Sequence, residues 1–311
     1  CWLIILGALL KSAQFPFHTW LPDTMGAPTP VSALMHAGII NGGGYLVVRL
    51  SPVLVHTPEA LHFLAAAGAL TAVYGSMVML SQTSVKRALA YSTIAQMGFM
   101  LLQCGLGAFH LAVLHLVAHS LYKGHAFLSS GSAVDTAKKL NAKANYVTLP
   151  QNRIWFAVAV AVSIVVALSI AFGVSPSNKP GMLVLSMVVA MAITQMVWTS
   201  MRRGHTGLSL AQTAFVAGGL AALYFVLAAL AGQVLAPSLP AQVPPAPILE
   251  SVLALILLAF LITSIRFQDG EPGFLSVAYK RRLYVHALNG FYMNTLANRV
   301  ARRLGLVPGK R

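Results

Sequence analysis

An all-α bundle of transmembrane helices is the fold class this sequence predicts, and three observations predict it. Of 311 residues, 57% are apolar and only 9% are charged, against roughly 25% charged in an ordinary soluble domain. The mean hydropathy is +0.75. The apolar residues gather in runs of about 20, the length that crosses a bilayer as a helix, and short stretches marked by Pro and Gly separate them. A water-soluble enzyme of this size would lack the polar surface to cover its core.

Nine spans follow in chain order. The first, roughly 1–15, is uncharged from Trp2 to Leu10 and reaches Lys11. The second, 29–50, opens on Pro28-Thr29-Pro30, and Pro30 suits a first helical turn. Spans 60–81, 87–104 and 107–131 follow, the last with His115, His119 and Lys123. Spans 153–174 and 181–202 hold no ionisable residue between Arg153 and Lys179 or from there to Arg202. Span 207–235 precedes a Pro-rich stretch, and 247–267 closes the series at Arg266. Residues 1–267 thus form a transmembrane bundle, and 268–311 a basic amphipathic tail. The chain begins at Cys1 in sequence of mid-membrane character, so it reads as the C-terminal part of a longer protein.

The charges orient this layout. There are 21 Lys and Arg against 6 Asp and Glu, a formal net charge of +15. In a soluble protein that excess would suggest nucleic acid; here the charges sit in clusters between apolar runs, and no nucleic-acid partner is expected. One set of alternate loops collects Lys86, Arg87, Lys138, Lys139, Lys143, Arg153, Arg202, Arg203, Arg266 and the basic residues from Lys280 on. The other holds only Arg49 and Lys179. Such asymmetry puts the first set, and the C-terminus, in the cytoplasm.

A charge at mid-bilayer is costly, about 2.5–3.5 kcal/mol on insertion scales, so polar groups inside spans call for a reason. Lys11 reads either as a proton-exchanging amine retuned by a neighbouring carboxylate or as a lysine snorkelling from a helix end. His115, His119 and Lys123, four residues apart, lie on one helix stripe about 12 Å long. Imidazoles that titrate near neutrality suit a hydrated proton path. The competing readings are hydrogen bonds between helices and a metal site, though no carboxylate or thiolate on the stripe offers a third ligand. His110 and His125 lie off it. Within the second span, Asn41-Gly42-Gly43-Gly44 should weaken the helix near His36, giving a broken helix of the kind tolerated only against protein or water. The other reading of the glycines is close helix packing. Apart from Glu250 near an end, the spans hold no carboxylate, so a counter-ion for Lys11 or Lys123 is expected from upstream or from a partner.

In the tail, Tyr284, Phe291 and Tyr292 recur near helical spacing among arginines, interrupted at Gly290. A basic helix lying on anionic lipid and a docking site for a cytoplasmic partner both fit. The two cysteines, Cys1 and Cys104, are too few for a disulfide framework or a Cys-rich metal site. No nucleotide loop, haem or iron–sulfur signature, or nucleophile–base pair stands in the chain, and neither a cofactor nor an enzymatic role is expected of it.

The run Lys11-Ser12-Ala13-Gln14-Phe15-Pro16-Phe17-His18-Thr19-Trp20-Leu21-Pro22-Asp23, with Pro28-Thr29-Pro30-Val31-Ser32-Ala33-Leu34-Met35-His36-Ala37, resembles the antiporter-like subunits of respiratory complex I and of multi-subunit sodium/proton antiporters. Ala90-Tyr91-Ser92-Thr93-Ile94-Ala95-Gln96-Met97-Gly98 and the His115, His119, Lys123 spacing extend the match over about residues 1–133. The resemblance implies a proton-conducting subunit of about 14 helices in two inverted repeats. It makes Lys11 the lysine at the centre of a half-channel, puts His36 on the broken helix, and assigns His115, His119 and Lys123 to the polar axis along the membrane. The chain departs from the respiratory version after residue 133, where the further lysine expected on a following broken helix is missing. His36 to Gly44, Leu128 to Ser132 and Tyr284 to Tyr292 look instead like the membrane subunit of the DAB inorganic-carbon accumulation system. That likeness implies a large cytoplasmic DabA-like partner with a carbonic-anhydrase-like zinc site, and an inner-membrane location. The alternatives are a pump subunit of a quinone oxidoreductase or Na+/H+ antiporter, and a non-conducting membrane anchor.

Overall fold

A computed structural model describes residues 1–132, 153–174, 181–203, 207–240, 247–268 and 276–305. Every regular element among them is a helix. The main ones are α1 (Trp2–Lys11), α2 (Thr29–Ala37), α3 (Gly42–Arg49), α4 (Pro58–Ser81), α5 (Val85–Gly105) and α6 (Phe109–Leu128). They continue as α7 (Arg153–Ala171), α8 (Met182–Arg202), α9 (Gly207–Leu235), α10 (Pro247–Gln268), α11 (Val277–Leu288) and α12 (Met293–Arg303). Six segments are long and apolar enough to cross a membrane, from Thr29–Arg49 to Pro247–Ser264. The chain is therefore an integral membrane protein with an all-α bundle. α5 and α6 are as long, at 21 and 20 residues, but their polar side chains dilute the apolar signal. Lys138, Lys139, Lys143, Lys179 and Asp135 lie outside the described residues.

Small residues set the closest packing. α4 and α5 form a hairpin in which each helix presents glycine to the other's backbone. A Cβ on Gly68 would stand 2.6 Å from the Gly98 carbonyl, and one on Gly98 would stand 2.6 Å from the Ala72 amide. A Cβ on Gly75 would fall 2.8 Å from the Ala95 amide. With little hydrophobic drive between helices in lipid, such close approach and its dispersion contacts hold the pair. Around this hairpin α1, α3 and α6 bury Ile5, Leu9, Val47 and Phe109 in one core. A second core joins α7, α8, α9 and α10 through Ala157, Ile193, Trp198, Ala217 and Leu261. Leu102, Leu111, Val184 and Leu253 fill the seam between them. At the seam Gly181 has φ +78, and a Cβ there would meet that of Leu106 at 2.8 Å; its amide donates to the Glu250 carboxylate at 2.9 Å.

Two helices stop early. α1 ends at Lys11, short of the expected residue 15, because Ala13 turns left-handed (φ 49) and the Gln14 amide reaches back to the Leu9 carbonyl at 2.9 Å. The second break separates α2 from α3. The expectation that Asn41-Gly42-Gly43-Gly44 would open the helix needs correction here. The interruption is Gly38 and a 3-10 turn, Ile39–Asn41, while Gly42, Gly43 and Gly44 are helical and begin α3. Those glycines are there for close approach: a side chain on Gly43 would strike Ser12 and the Ala8 carbonyl, and one on Gly44 would strike Met100. Pro30 lies in the first turn of α2.

The tail folds back on the face that carries the α4–α5 turn. Gln82 donates to the Leu288 carbonyl at 3.1 Å, and Asn294 to the Asp23 carboxylate at 3.3 and 3.4 Å.

Candidate functional site

The two broken ends face each other. Ser12, just past Lys11, donates its hydroxyl to the Ile40 carbonyl, left free by the α2–α3 break, at 2.7 Å. Lys11 itself is exposed, and its stem lies along Gly42, where a Cβ would stand 3.2 Å from Lys11 Cε. Lys11 and the histidines are therefore joined through the broken backbone and not by a shared hydrogen bond.

From the break inward, α2, α5 and α6 enclose a row of polar groups. His36 is fully buried, stacked on Phe127 at 4.4 Å between ring centroids, and its Nδ1 lies 3.0 Å from Thr93 Oγ1. Thr93 has one hydroxyl proton, which it donates to the Leu89 carbonyl at 3.0 Å. It must then accept from His36, so the imidazole carries its hydrogen on Nδ1. That leaves Nε2 as a bare lone pair, buried and without a hydrogen-bond partner. Lys123 is also fully buried and donates to the same Leu89 carbonyl at 3.3 Å. One peptide oxygen thus receives both the threonine that orients His36 and the lysine at the end of the α6 stripe.

His119 lies between these groups, within electrostatic reach of His36, His115 and Lys123. Neither of its ring nitrogens has a partner, and its ring stands 5.9 Å from that of His115. His115 is half-buried against Phe99. Asn41 ends the row: its amide donates to the Ala37 carbonyl at 2.7 Å and to Ser120 at 2.8 Å, and its Oδ1 is buried without a partner. Buried polar atoms are nearly always paired, so four such acceptor or donor atoms in one row are the chemical signature of this site. They suit mobile protons or hydrated cations. Among the described residues no three His, Cys, Asp or Glu side chains converge as a metal site would need. Thr93, Ser120 and the Leu89 carbonyl were not singled out from sequence. Thr93 sits inside the Ala90–Gly98 motif, but its partnership with His36 spans 57 residues of chain and leaves no local pattern.

A model of the NADH:quinone oxidoreductase/Mrp antiporter transmembrane family matches residues 1–204. The chain belongs to this family. It is 39% identical over 305 residues to the probable inorganic carbon transporter subunit DabB2 of Halothiobacillus neapolitanus, a match over 97% of this chain and 54% of that protein. It is 42% identical over 139 residues to the chloroplastic NAD(P)H-quinone oxidoreductase subunit 5 of Piper cenocladum, or 44% of this chain and 19% of that one. Among solved structures it is similar to a chain of the Mrp complex from Dietzia sp., with TM-score 0.42 and 27% identity over 97% of this chain and 34% of that one. The chain spans about half the length of the DabB2 relative. It is thus an antiporter-like membrane subunit, and the row on α2, α5 and α6 falls within the family match.

The three tail aromatics separate. Phe291, expected to dock a partner, is half-buried and packs on Tyr74 at 6.0 Å between ring centroids. Tyr292 is exposed and meets His286 edge-on at 5.6 Å, and Tyr284 is exposed on α11. Beneath Phe291, Tyr74 donates to the Gly290 carbonyl at 2.9 Å and accepts from His18 Nε2 at 2.9 Å. Burial in this clasp lowers the His18 pKa to about 4.

Proposed function

We propose that this chain is the cation-conducting membrane subunit of a complex that accumulates inorganic carbon, with protons as the carried ion. The observation that carries the reading is the fully buried Lys123 sharing the Leu89 carbonyl with Thr93, beside the unpartnered nitrogens of His36 and His119. A bare imidazole nitrogen takes a proton without rearranging its neighbours, and the ammonium a turn away changes the cost of holding it there. In this scheme Lys11, at the broken end of α1, is the switch. His36, His115, His119 and Lys123 are the relay, and the breaks at Ser12–Gln14 and Gly38–Asn41 admit water to it.

The identity with a protein named as a probable inorganic carbon transporter subunit, across 97% of this chain, supports the substrate class. The partner in this reading is a large cytoplasmic subunit with a carbonic-anhydrase-like zinc site, seated on the basic face. The excess of positive charge in one set of loops supports a cytoplasmic position for that face and the C-terminus in this reading, with the complex in the inner membrane. One charge moving through 100 mV releases about 2.3 kcal/mol, enough to bias CO2 hydration toward bicarbonate inside.

Alanine at Lys11 or at Lys123, in cells that make the whole complex, should abolish bicarbonate accumulation while the subunits still co-purify. Full accumulation in both variants would overturn the relay. The likeness to a quinone oxidoreductase subunit favours a second reading, a redox-driven pump; co-purified flavin or iron–sulfur subunits would select it. Accumulation that survives collapse of the proton gradient would leave only a membrane anchor.

A further inference from the structure

The junction of α11 and α12 is sunk into the bundle. Tyr74, which holds Gly290 and Phe291, lies seven residues before the end of α4 at Ser81, about 10 Å below the helix end. α11 lays Leu283 and Ala287 beside Met77 and Leu80 of α4 and Phe260 of α10, again within spanning segments. Asn294, in the first turn of α12, is tied to Asp23. The helices after α10 therefore lie at the depth where acyl chains meet headgroups.

Three consecutive left-handed residues, Gly290 (φ 57), Phe291 (φ 50) and Tyr292 (φ 60), redirect the chain into α12. At 100° per residue, Met293, Leu296, Ala297, Val300, Ala301 and Leu304 fall on one side of α12, Arg299 and Arg303 along the edge of that side, and Arg302 opposite. Met293, Ala297 and Ala301 are half-buried, whereas Leu296, Val300 and Leu304 are 53%, 48% and 67% exposed. No acidic residue stands between 276 and 305, where six Lys and Arg do.

We propose that this free face of α12 is a lipid-binding surface: Leu296, Val300 and Leu304 enter the acyl boundary of an anionic leaflet, and Arg299 and Arg303 along its edge bind headgroup phosphates. Depth, charge and residue type all favour lipid over a protein partner. A helix with a cationic face and a leucine–valine face at this level gains by immersing the latter. Guanidinium forks match phosphate oxygens. Leu and Val are under-represented among the residues that anchor protein interfaces. The surface is independent of whether the chain conducts.

The test places spin labels singly at positions 296, 300 and 304, and at 295 and 298 on the opposite face. The labelled protein, in its complex and with Cys1 and Cys104 changed to serine, is reconstituted in phosphatidylcholine vesicles with or without phosphatidylglycerol. With phosphatidylglycerol, labels at 296, 300 and 304 should collide with oxygen and be shielded from an aqueous nickel chelate, with the reverse at 295 and 298. The double change Arg299→Gln and Arg303→Gln should weaken that shielding. Nickel access at 296, 300 and 304 in both vesicles would overturn the proposal. So would shielding from both reagents, the mark of a covering protein. Equal immersion without phosphatidylglycerol would overturn the phosphate contact.

Discussion

The described residues of 1–132 and of 153–268 are both mainly helical and both apolar, yet they bury different things. Among the described residues, fourteen polar or charged side chains are buried in the first region, from Ser12 to Ser130, and only Thr194 and Ser200 in the second. Thr194 returns its hydroxyl to the carbonyl one turn back at 2.7 Å, and Ser200 pairs with Thr213 at 2.9 Å. Thr194 is satisfied within its own helix, and Ser200 by a hydroxyl of the neighbouring α9. In the first region Thr71 and Ser81 are likewise satisfied within their helix, but the polar row has distant partners: Ser12 with Ile40, His36 with Thr93, Lys123 with Leu89. A polar group in lipid that only needs quieting can be quieted by its own helix, whereas groups joined across three helices and left partly unpaired are arranged for traffic. The first region conducts, in our reading, and the second supports it.

The sharpest way to break that contrast is to remove polarity from each region in turn. Lys123→Met and His119→Leu should each reduce cation-driven bicarbonate accumulation to background in cells. Thr194→Val should leave it within about twofold, since it removes one hydrogen bond within a helix, of about 1 kcal/mol. Equal losses in both regions would erase the distinction.

Packing separates the regions next. Gly98 faces backbone on α4, with the Ala72 amide where a Cβ would go, while Gly219 of α9 has open space around it. Gly98→Leu should destabilise the detergent-solubilised protein by about 3 kcal/mol or more, because neither backbone can retreat. Gly219→Leu should stay within about 0.5 kcal/mol. Thermal unfolding followed by loss of monodisperse protein measures both. A smaller effect belongs to Thr93→Val, which strips His36 of its acceptor and leaves a buried N–H unpaired, at about 1–3 kcal/mol. It should slow accumulation, and Thr93→Ser should restore it.

Much of this was legible in the sequence, and the rest was not for definite reasons. Apolar runs and helix length announce spans in any order, so the helices over 153–174 and 247–267 needed no tertiary knowledge. The α6 stripe was legible because His115, His119 and Lys123 share one helix and one period. The site of the α2–α3 break was not. Three glycines look like weakness when read along one helix, but Gly43 and Gly44 are small because Ser12, Ala8 and Met100 press on them from α1 and α5. The break falls instead at Gly38, where the backbone turns (φ −120, ψ −71). The fate of Phe291 was hidden for the same reason: Tyr74 lies over 200 residues away in sequence.

The smallest expected effect lies where the tail meets the first region. His18 donates from Nε2 to Tyr74, which donates in turn to Gly290, and His18 Nδ1 is buried without a partner. Charging the imidazole would put a proton on that buried nitrogen, so burial holds the folded pKa near 4 against 6.5 for a free histidine. Between those values the unfolded chain binds the proton and the folded clasp does not, so stability rises with pH across that window. The clasp is fully favoured above about pH 6.5 and weakens as pH falls toward 4. The rate of trypsin cleavage after Arg281 and Arg282, divided at each pH by the rate in His18→Gln so that the protease's own loss of activity in acid cancels, should rise over that range. The Gln amide can still donate to Tyr74 but does not titrate, so that variant supplies the reference. A ratio that does not change from pH 6.5 to 4 would show that the tail is held by Phe291 and Asn294 alone, and that the first region's polar chemistry stops short of the surface.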